Sequence, residues 1–234
     1  MNALGSMNIS IEPEGNYIIK PDGTKEKLDY SLSGTISDTY PVNLAKNKFE
    51  KVSWEQFKKD TEKILLPYVE ERCSRPFSDF VGDQLLKEVY DNITLPRRST
   101  RHSAGYDFYC PFSNIPLYAG ESVIIPTGIK MELIPSAFLA IYPRSSYGFK
   151  YKMRLDNTVG IIDADYYNNK DNEGHIMIKI TCEKEEPEFN LGRPFVTLEQ
   201  NTKFAQGVIT YYGITCDDNP YDTKRTGGIG STGK

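Results

Sequence analysis

The turn that follows residues 137–142 combines an arginine with two hydroxyl side chains. Pro143 ends that apolar run and is followed by Arg144, Ser145 and Ser146. A guanidinium can bind phosphate oxygens in pairs, and serine hydroxyls supply further donors. The stretch therefore predicts a phosphate-binding turn at the end of a strand, with an ordinary surface turn as the alternative.

Two acidic residues close a second apolar run, 159–162. Asp163 and Asp165 are two positions apart, which places both carboxylates on the same side of a strand. One carboxylate at the mouth of a strand can accept a proton from water, whereas a pair can bind a hard cation such as Mg²⁺. A strand that ends in a solvated acidic turn explains the same pattern without any chemistry.

The glycine-rich stretch 228–234 matches the phosphate-loop pattern G-x-x-x-x-G-K. That motif requires a strand before it and a helix after it, and the sequence shows neither pattern here. Closely spaced backbone N–H groups could still bind an anion, with Ser231 and Thr232 as additional donors. A mobile chain end is the alternative.

Two further polar residues stand within predicted strands. Asp107 enters a short strand and could supply another carboxylate. Gln206 lies inside the apolar run 204–209, where an unpaired buried amide would cost about 1–3 kcal/mol. A structural hydrogen bond is the simplest account of Gln206.

The elements that must position these residues fall into a helical and a β part. Ser53 and Gln56 form a capping-box pattern, and an apolar face follows at helical spacing. Pro67 should end or kink this helix, and a second short helix is predicted over 80–90. From Ile93 onward the apolar period changes to two, which is typical of strands.

The β part predicts many short strands separated by turn residues. This pattern is typical of an all-β sandwich, jelly roll or barrel. The predicted strands are 122–125, 128–134, 137–142, 175–182 and 204–211. Two short alternating runs, 9–11 and 17–19, predict a small hairpin ahead of the helices.

Composition excludes several classes of protein. The 234 residues carry a net charge of −4 at pH 7, which argues against binding duplex nucleic acid by charge alone. No apolar run approaches the roughly 18 residues of a membrane span, and no secretory signal is visible. Four widely spaced cysteines and two histidines do not favour a zinc site and fit a reducing, cytoplasmic compartment.

Five motifs in a fixed order closely resemble those of the trimeric deoxyuridine triphosphatases (dUTPases). They cover about residues 91–234, well over half of the chain. In order they are Ala104-Gly105-Tyr106-Asp107, Pro143-Arg144-Ser145-Ser146, Val159-Gly160-Ile161-Ile162-Asp163-Ala164-Asp165-Tyr166, Phe204-Ala205-Gln206 and Gly227-Gly228-Ile229-Gly230-Ser231-Thr232-Gly233. The resemblance implies a mainly β fold, a jelly roll or distorted β-barrel of the dUTPase type, with a small α-helical N-terminal addition.

Four segments follow from this resemblance. We interpret residues 1–6 as a cloning remnant and 7–90 as an N-terminal extension with a small hairpin and one or two helices. Residues 91–217 would form the dUTPase-like β core. Residues 218–234 would form a mobile, glycine-rich C-terminal arm.

The resemblance also implies a reaction, the hydrolysis of dUTP to dUMP and pyrophosphate with Mg²⁺ held by the triphosphate. It implies a homotrimer whose active sites lie at subunit interfaces, each closed by the arm of a neighbour. Asp163 matches the residue that activates the attacking water, and Gln206 matches an amide near the phosphates. Asp107 matches the carboxylate that reaches Mg²⁺ through water.

The remaining matched residues would bind substrate. Tyr166 matches the aromatic residue that packs against the deoxyribose and excludes a 2′-hydroxyl. Asn157 matches the amide that recognises the uracil edge. The phosphate turn, the uracil hairpin and the arm complete the implied set, which is Arg144, Ser145, Ser146, Gly160, Lys224, Arg225, Gly228, Ile229, Gly230, Ser231 and Thr232.

The sequence departs from the family pattern at three places. Ile229 stands where the arm usually carries a phenylalanine that stacks on uracil, and such stacking is worth roughly 1–3 kcal/mol. Lys224 stands in place of the arm arginine, so it supplies charge without the bidentate fork. The stretch 167–174 is longer and more polar than the usual short glycine turn. We therefore expect weaker closure of the arm without loss of activity.

Two alternatives remain. A dCTP deaminase-like enzyme shares this fold and the arginine-serine-serine turn, but it would show a catalytic glutamate shortly after the strand that carries Asp163. A dUTP-sensing regulatory protein would use the N-terminal extension to contact a partner. Padding of the outside of the trimer is the simpler role for that extension.

Overall fold

The computed structural model describes residues 8–12, 15–19, 24–27, 47–72, 82–183 and 196–220. The chain divides into two compact units, Met1–Asn43 and Leu44–Lys234. This boundary does not coincide with the division at residue 90, because the second unit takes in residues 44–90 as well. The expected cloning remnant 1–6 and residues 221–234 of the expected arm lie outside the described residues.

The first unit contains a small antiparallel sheet. Its strands are β1 (Asn8–Glu12), β2 (Gly15–Ile19) and β3 (Lys25–Lys27), in the order β1-β2-β3. β1 and β2 take in the two alternating runs of the expected hairpin, with Asn8 opposite Ile19. β3 is a strand that the alternating pattern does not predict.

The described part of the second unit begins with a strand and three helices. They are β4 (Lys48–Lys51), α1 (Trp54–Asp60), α2 (Leu66–Arg72) and α3 (Asp83–Asp91). The Ser53 hydroxyl caps α1 by accepting a hydrogen bond from the Gln56 amide at 3.1 Å. A π-helical turn (Thr61–Leu65) joins α1 to α2. The helical run therefore does not end at Pro67 but continues to Arg72. The π turn directly before Pro67 is the kind of local irregularity that accompanies a kink.

The rest of the described chain is mainly antiparallel β structure. The strands are β5 (Arg97–Arg98), β6 (Tyr106–Tyr109), β7 (Ile115–Leu117), β8 (Ser122–Pro126), β9 (Ile129–Glu132), β10 (Ala137–Pro143), β11 (Met153–Leu155), β12 (Gly160–Asp163), β13 (Met177–Cys182), β14 (Val196–Leu198) and β15 (Lys203–Tyr211), and the helix α4 (Ser145–Tyr151) follows β10. The largest sheet has the order β12-β10-β15-β6-β5, and a second sheet has the order β11-β13-β8. β7 pairs with β14, and β4 pairs with β9.

The predicted mainly β fold is confirmed, and helices form in the segment where they were predicted. All five strands predicted from the alternating pattern form, within two residues of the predicted bounds. In the described part of the chain, no helix has the length and apolar character needed to cross a membrane.

One hydrophobic core connects the helices with the sheets. Phe57 and Leu65 are fully buried, and Val69 and Leu86 are nearly so. These side chains belong to the same buried cluster as the inward residues of β6, β8, β10 and β13. The helical segment is therefore part of the folded core and not an addition to its surface.

Deletions that stop on either side of this segment should differ sharply. Removal of residues 1–43 should leave the thermal unfolding temperature of the remaining chain nearly unchanged, because the division between the two units falls there. Removal of residues 1–91 should leave an insoluble chain. Loss of each large buried side chain costs about 2–5 kcal/mol, and a domain is stable by only about 5–15 kcal/mol. Soluble yield and calorimetry would check both expectations, and a soluble, cooperatively unfolding 92–234 fragment would contradict the second.

Candidate active site

The structure places the expected site residues in two groups, one on the largest sheet and one where strand β12 of that sheet meets the β11-β13-β8 sheet. We call Asp107, Arg144 and Gln206 the phosphate cluster. Gln206 on β15 lies opposite Asp107 on β6 and opposite Tyr142 on β10. Arg144 is the residue directly after β10. Antiparallel register thus brings together three side chains that are far apart in the sequence.

Asp107 is the buried centre of the phosphate cluster. Its Oδ1 accepts a hydrogen bond from Arg144 Nη1 at 2.6 Å, and its Oδ2 accepts one from Ser99 Oγ at 2.5 Å. Lys203 Nζ lies 3.1 Å from the same Oδ2. Burial opposes ionisation, but the hydrogen bonds from Ser99 and Lys203 and the charge of Arg144 hold the pKa of Asp107 below its usual value. The ionised carboxylate therefore fixes both cations in place.

Arg144 connects this cluster to the first turn of α4. It is the N-cap residue of α4, and its side chain is 29% exposed. Ser145 and Ser146 follow in the first turn and are exposed, and the amides of a first helical turn have no acceptor within the helix. Arg144 Nε is buried and has no hydrogen-bond partner among the described residues. The turn thus offers an arginine, two hydroxyls and two backbone donors to an anion.

Gln206 is held by a close approach of two strands. Its Nε2 donates to the Pro143 carbonyl at 3.3 Å, which supports the structural hydrogen bond expected for a buried amide. A Cβ added to Gly105 would lie only 2.6 Å from Gln206 Oε1. The glycine before β6 therefore leaves the space that the Gln206 amide occupies.

Gly105→Ala should displace the Gln206 amide with little effect on the fold, because the atom in the way is the far end of a flexible side chain. We expect kcat/KM for dUTP to fall by about 10–100-fold, since small misplacements of a site residue cost this much. Steady-state kinetics would measure the fall. Gly213→Ala is the matched control, because a Cβ there meets no atom within 4 Å. Equal activity of the two variants would contradict the expectation.

The second group of residues lines a cavity of about 280 Å³, which we call the base pocket. It lies against strands β11, β12 and β13, and Asn157 and Gly160 lie on either side of the turn from β11 to β12. A Cβ on Gly160 would lie 3.2 Å from Ile141 Cβ, so a larger residue would press on the pocket wall. The lining is Ile141, Leu155, Asp156, Asn157, Gly160, Ile161, Ile162, Tyr166, Met177, Ile178 and Lys179. This largely apolar cavity, with the Asn157 amide and the charged side chains of Asp156 and Lys179 in its lining, suits a heterocycle that offers hydrogen-bonding groups at its edge.

Asp163 lies at the end of β12, far from the phosphate cluster. It pairs with Phe138 of β10, whereas Gln206 pairs with Tyr142 and Arg144 follows Pro143. Phe138 and Arg144 are six residues apart, which corresponds to about 20 Å along a strand. A single chain therefore does not bring Asp163 and the phosphate cluster to the same bound phosphate.

Tyr166 is buried at the wall of the base pocket. Its hydroxyl donates to the His175 carbonyl at 2.9 Å and accepts from Asn172 Nδ2 at 2.7 Å. Asn169 Nδ2 donates to the Tyr166 carbonyl at 2.8 Å. The longer stretch 167–174 is thus a network of amides that holds Tyr166.

Sequence reasoning missed several residues of the site. Lys203 and Ser99 complete the surroundings of Asp107, and Lys203 could have been suspected as a cation that opens the strand carrying Gln206. His175 and Asp60 lie behind Tyr166, and no local pattern marks either of them. The expected arm residues Lys224, Arg225, Gly228, Ile229, Gly230, Ser231 and Thr232 lie outside the described residues.

The donor set of the phosphate cluster suits a metal ion only through water. Within the described ranges, no three His, Cys, Asp or Glu side chains lie where they could hold a metal ion together. Asp107 uses three of the roughly four acceptor sites of a carboxylate. One remaining site can accept a hydrogen bond from a metal-bound water, and Mg²⁺ usually keeps several waters and takes substrate phosphates as ligands.

Comparison with known proteins gives a consistent result. A dUTPase family model matches residues 91–233. The deoxyuridine 5'-triphosphate nucleotidohydrolase of Lactococcus lactis subsp. lactis (strain IL1403) is 39% identical over 142 residues, which are 60% of this chain and 89% of that protein. The protein of the same name from Hahella chejuensis (strain KCTC 2396) is 34% identical over 153 residues, 63% of this chain and 91% of that protein. A solved dUTPase from Streptococcus mutans is 36% identical and aligns with a TM-score of 0.45, over 52% of this chain and 88% of that one.

Proposed function

Because this chain belongs to the dUTPase family and hydrolyses dUTP, we propose that Asp163 activates the water that attacks the α-phosphorus. Asp163 is half-buried at the end of β12, beside the wall of the base pocket. A carboxylate there can accept the proton of the attacking water as the bond to phosphorus forms. The electron pair of the broken bond leaves with pyrophosphate, and dUMP remains.

The phosphate cluster would bind the triphosphate. Arg144 offers a guanidinium held by Asp107, and Ser145 and Ser146 add hydroxyl and backbone donors. Gln206 adds an amide on the neighbouring strand. Since charge spreads over phosphate oxygens during such reactions, preorganised donors of this kind lower the barrier without covalent chemistry.

The base pocket would take uracil and deoxyribose. Asn157 would pair with the uracil edge, Gly160 would leave room for the ring, and Tyr166 would pack against the sugar where a 2′-hydroxyl would otherwise lie. Because Tyr166 is buried, neighbouring side chains would resist a shift of its ring away from the 2′-hydroxyl of a ribonucleotide.

The separation of Asp163 from Arg144 is the observation that supports a site shared between two copies of the chain. About 20 Å along β10 is too far for one triphosphate to contact both residues at its α-phosphorus. A complete site therefore needs the phosphate cluster of one copy and the base pocket of another. We propose a homotrimer, in which three such sites form and the C-terminal arm closes each of them with Lys224, Arg225 and the 228–232 stretch.

Magnesium would enter with the substrate as the dUTP complex, where it neutralises the charge of the phosphates. Asp107 would orient one of its water ligands through its remaining acceptor site. Protein residues would otherwise act on the nucleotide directly. The described cysteines Cys110, Cys182 and Cys216 are free thiols, which supports a reducing, cytoplasmic compartment.

The test is pyrophosphate release from dUTP, dCTP, dTTP and UTP, each with Mg²⁺ and with a chelator. We expect magnesium-dependent release from dUTP alone. Ammonia release from dCTP would favour the deaminase-like alternative. Binding of dUTP without turnover would favour the regulatory alternative, in which the first ninety residues contact a partner.

A further inference from the structure

Asp60, at the last position of α1, makes a buried contact with the β core. Its Oδ2 lies 2.7 Å from Nδ1 of His175, a side chain with no exposed surface. Gln56 Nε2 donates to the same Oδ2 at 2.7 Å. α1 lies outside the matched family region, which begins at residue 91. The contact therefore joins an element outside the matched family region to the strand region behind the base pocket.

The contact made by the other ring nitrogen of His175 shows which group donates the hydrogen bond between His175 and Asp60. The Gly128 amide donates to His175 Nε2 at 2.7 Å, so Nε2 is the acceptor and Nδ1 carries the proton that Asp60 accepts. Burial lowers the pKa of His175, and the hydrogen bonds from His175 and Gln56 lower that of Asp60 against the effect of its own burial. The pair is thus a neutral imidazole and a carboxylate, which locks the orientation of the ring.

His175 passes this constraint to Tyr166 through its backbone. The His175 carbonyl accepts the Tyr166 hydroxyl proton at 2.9 Å. Asn172 Nδ2 donates to that hydroxyl at 2.7 Å. Two hydrogen bonds of the Tyr166 hydroxyl therefore come from the segment that α1 holds.

A second contact ties the same segment to the start of α1. Glu173 accepts hydrogen bonds from the Ser53 amide at 2.8 Å and the Ser53 hydroxyl at 2.5 Å. Gly174 lies so close to Tyr166 that a Cβ on it would be 2.6 Å from the Tyr166 carbonyl oxygen. The long stretch 167–174 and α1 are both departures from the family pattern, and each supports the other.

We propose that Asp60 is a positioning residue that acts through His175 to hold Tyr166 against the sugar and so helps the enzyme to reject UTP. This inference rests on the proposed role of Tyr166. Without the Asp60 carboxylate, the His175 ring loses the acceptor that fixes it, and the carbonyl that holds the Tyr166 hydroxyl can move. The ring would then yield to a 2′-hydroxyl.

A double-mutant cycle on kcat/KM tests this coupling. The full-length variants are Asp60→Ala, Tyr166→Phe and their combination, and each is assayed with dUTP and with UTP. We expect Asp60→Ala to lower the dUTP-to-UTP ratio by about tenfold, part of the roughly hundredfold that a pocket achieves against an added hydroxyl. Tyr166→Phe keeps the ring and removes the linking hydroxyl, so it should act in the same direction. The double variant should match Tyr166→Phe alone.

Controls separate this role from general stabilisation. Asp60→Leu is similar in size and offers no acceptor to His175, so it replaces Asp60→Ala in the cycle should that variant fail to fold. Asp60→Asn keeps an acceptor for His175 and should restore most of the ratio. Glu62→Gln makes the same chemical change at a more exposed position two residues further along and should leave the ratio unchanged. A purely structural role would lower the unfolding temperature and leave the ratio at its wild-type value.

Two outcomes would overturn the inference. One is a folded variant that lacks the acceptor at position 60 and still shows the wild-type ratio. The other is an effect of that substitution on the ratio that is equally large in the Tyr166 and in the Tyr166→Phe background. Tyr166→Ala distinguishes these from failure of the proposed site. If Tyr166→Ala also leaves the ratio unchanged, Tyr166 does not contact the sugar and the proposed function of the base pocket is wrong.

Discussion

Asp163→Asn should lower dUTP turnover by about 10²–10⁴-fold, because the amide keeps the shape of the carboxylate and cannot take a proton from water. Asp163 ends β12, and the preceding residue Ile162 lines the base pocket. The substitution leaves the pocket itself intact. We therefore expect KM to change little while kcat falls, measured as pyrophosphate release with saturating Mg²⁺.

Asp165→Asn is the matched control for this prediction. Asp165 is an exposed carboxylate in the short helical turn after β12, two positions from Asp163. If Asp163 is the only general base, the Asp165→Asn variant should turn over dUTP at nearly the wild-type rate. If both variants lost activity equally and both regained it at high Mg²⁺, the two carboxylates would act as a pair that binds a cation, and the proposed role of Asp163 would be wrong.

Arg144→Ala should abolish turnover nearly as completely. It removes the guanidinium that offers donors to the triphosphate, and it leaves Asp107 buried with one cation fewer. Loss of one preorganised donor to a reacting group costs about 10²–10³-fold, and we expect at least that fall in kcat/KM. The measurement is the same pyrophosphate assay.

The combination of the two inactive variants gives the sharper result. Co-expression of Arg144→Ala and Asp163→Asn chains, purified through two different tags so that only mixed trimers remain, should restore about a third of wild-type activity if each site takes the two residues from different copies, because one site of three is then intact. A site that used both residues of one chain would stay inactive in every mixture. Co-expression of Arg144→Ala with Gln206→Ala is the control, because both residues belong to the phosphate cluster and no complementation is expected.

The family was predictable because its motifs are local. Each is a short segment in which residue type and spacing carry the chemistry, as in Arg144-Ser145-Ser146, and the family match over 91–233 confirms that interpretation. The strands were predictable for a similar reason. Alternation of apolar and polar residues records which side chains face a core, whatever that core is built from.

The helical segment was predictable only in part. The Ser53 cap and the apolar face of α1 are local features, and both form. The reciprocal half of the predicted capping box does not form, because the Gln56 side chain donates to Asp60 and the Ser53 amide donates to Glu173. The sequence did not predict that Phe57 and Leu65 share a core with the sheets. An apolar helix face indicates that the helix packs against something, but it does not identify the element against which it packs. The π turn before Pro67 likewise depends on how the chain packs beyond one turn of helix.

The amino-acid sequence alone determined the family, the mainly β fold and the residue types of the site, since these depend on order and spacing along the chain. Tertiary structure decided which of these residues meet. Strand register places Gln206 beside Asp107, and it places Asp163 at the opposite end of β10 from Arg144. It also brings Asp60 to His175, 115 positions away in the sequence. Such contacts depend on pairing between distant segments, and no local pattern of side chains encodes that pairing.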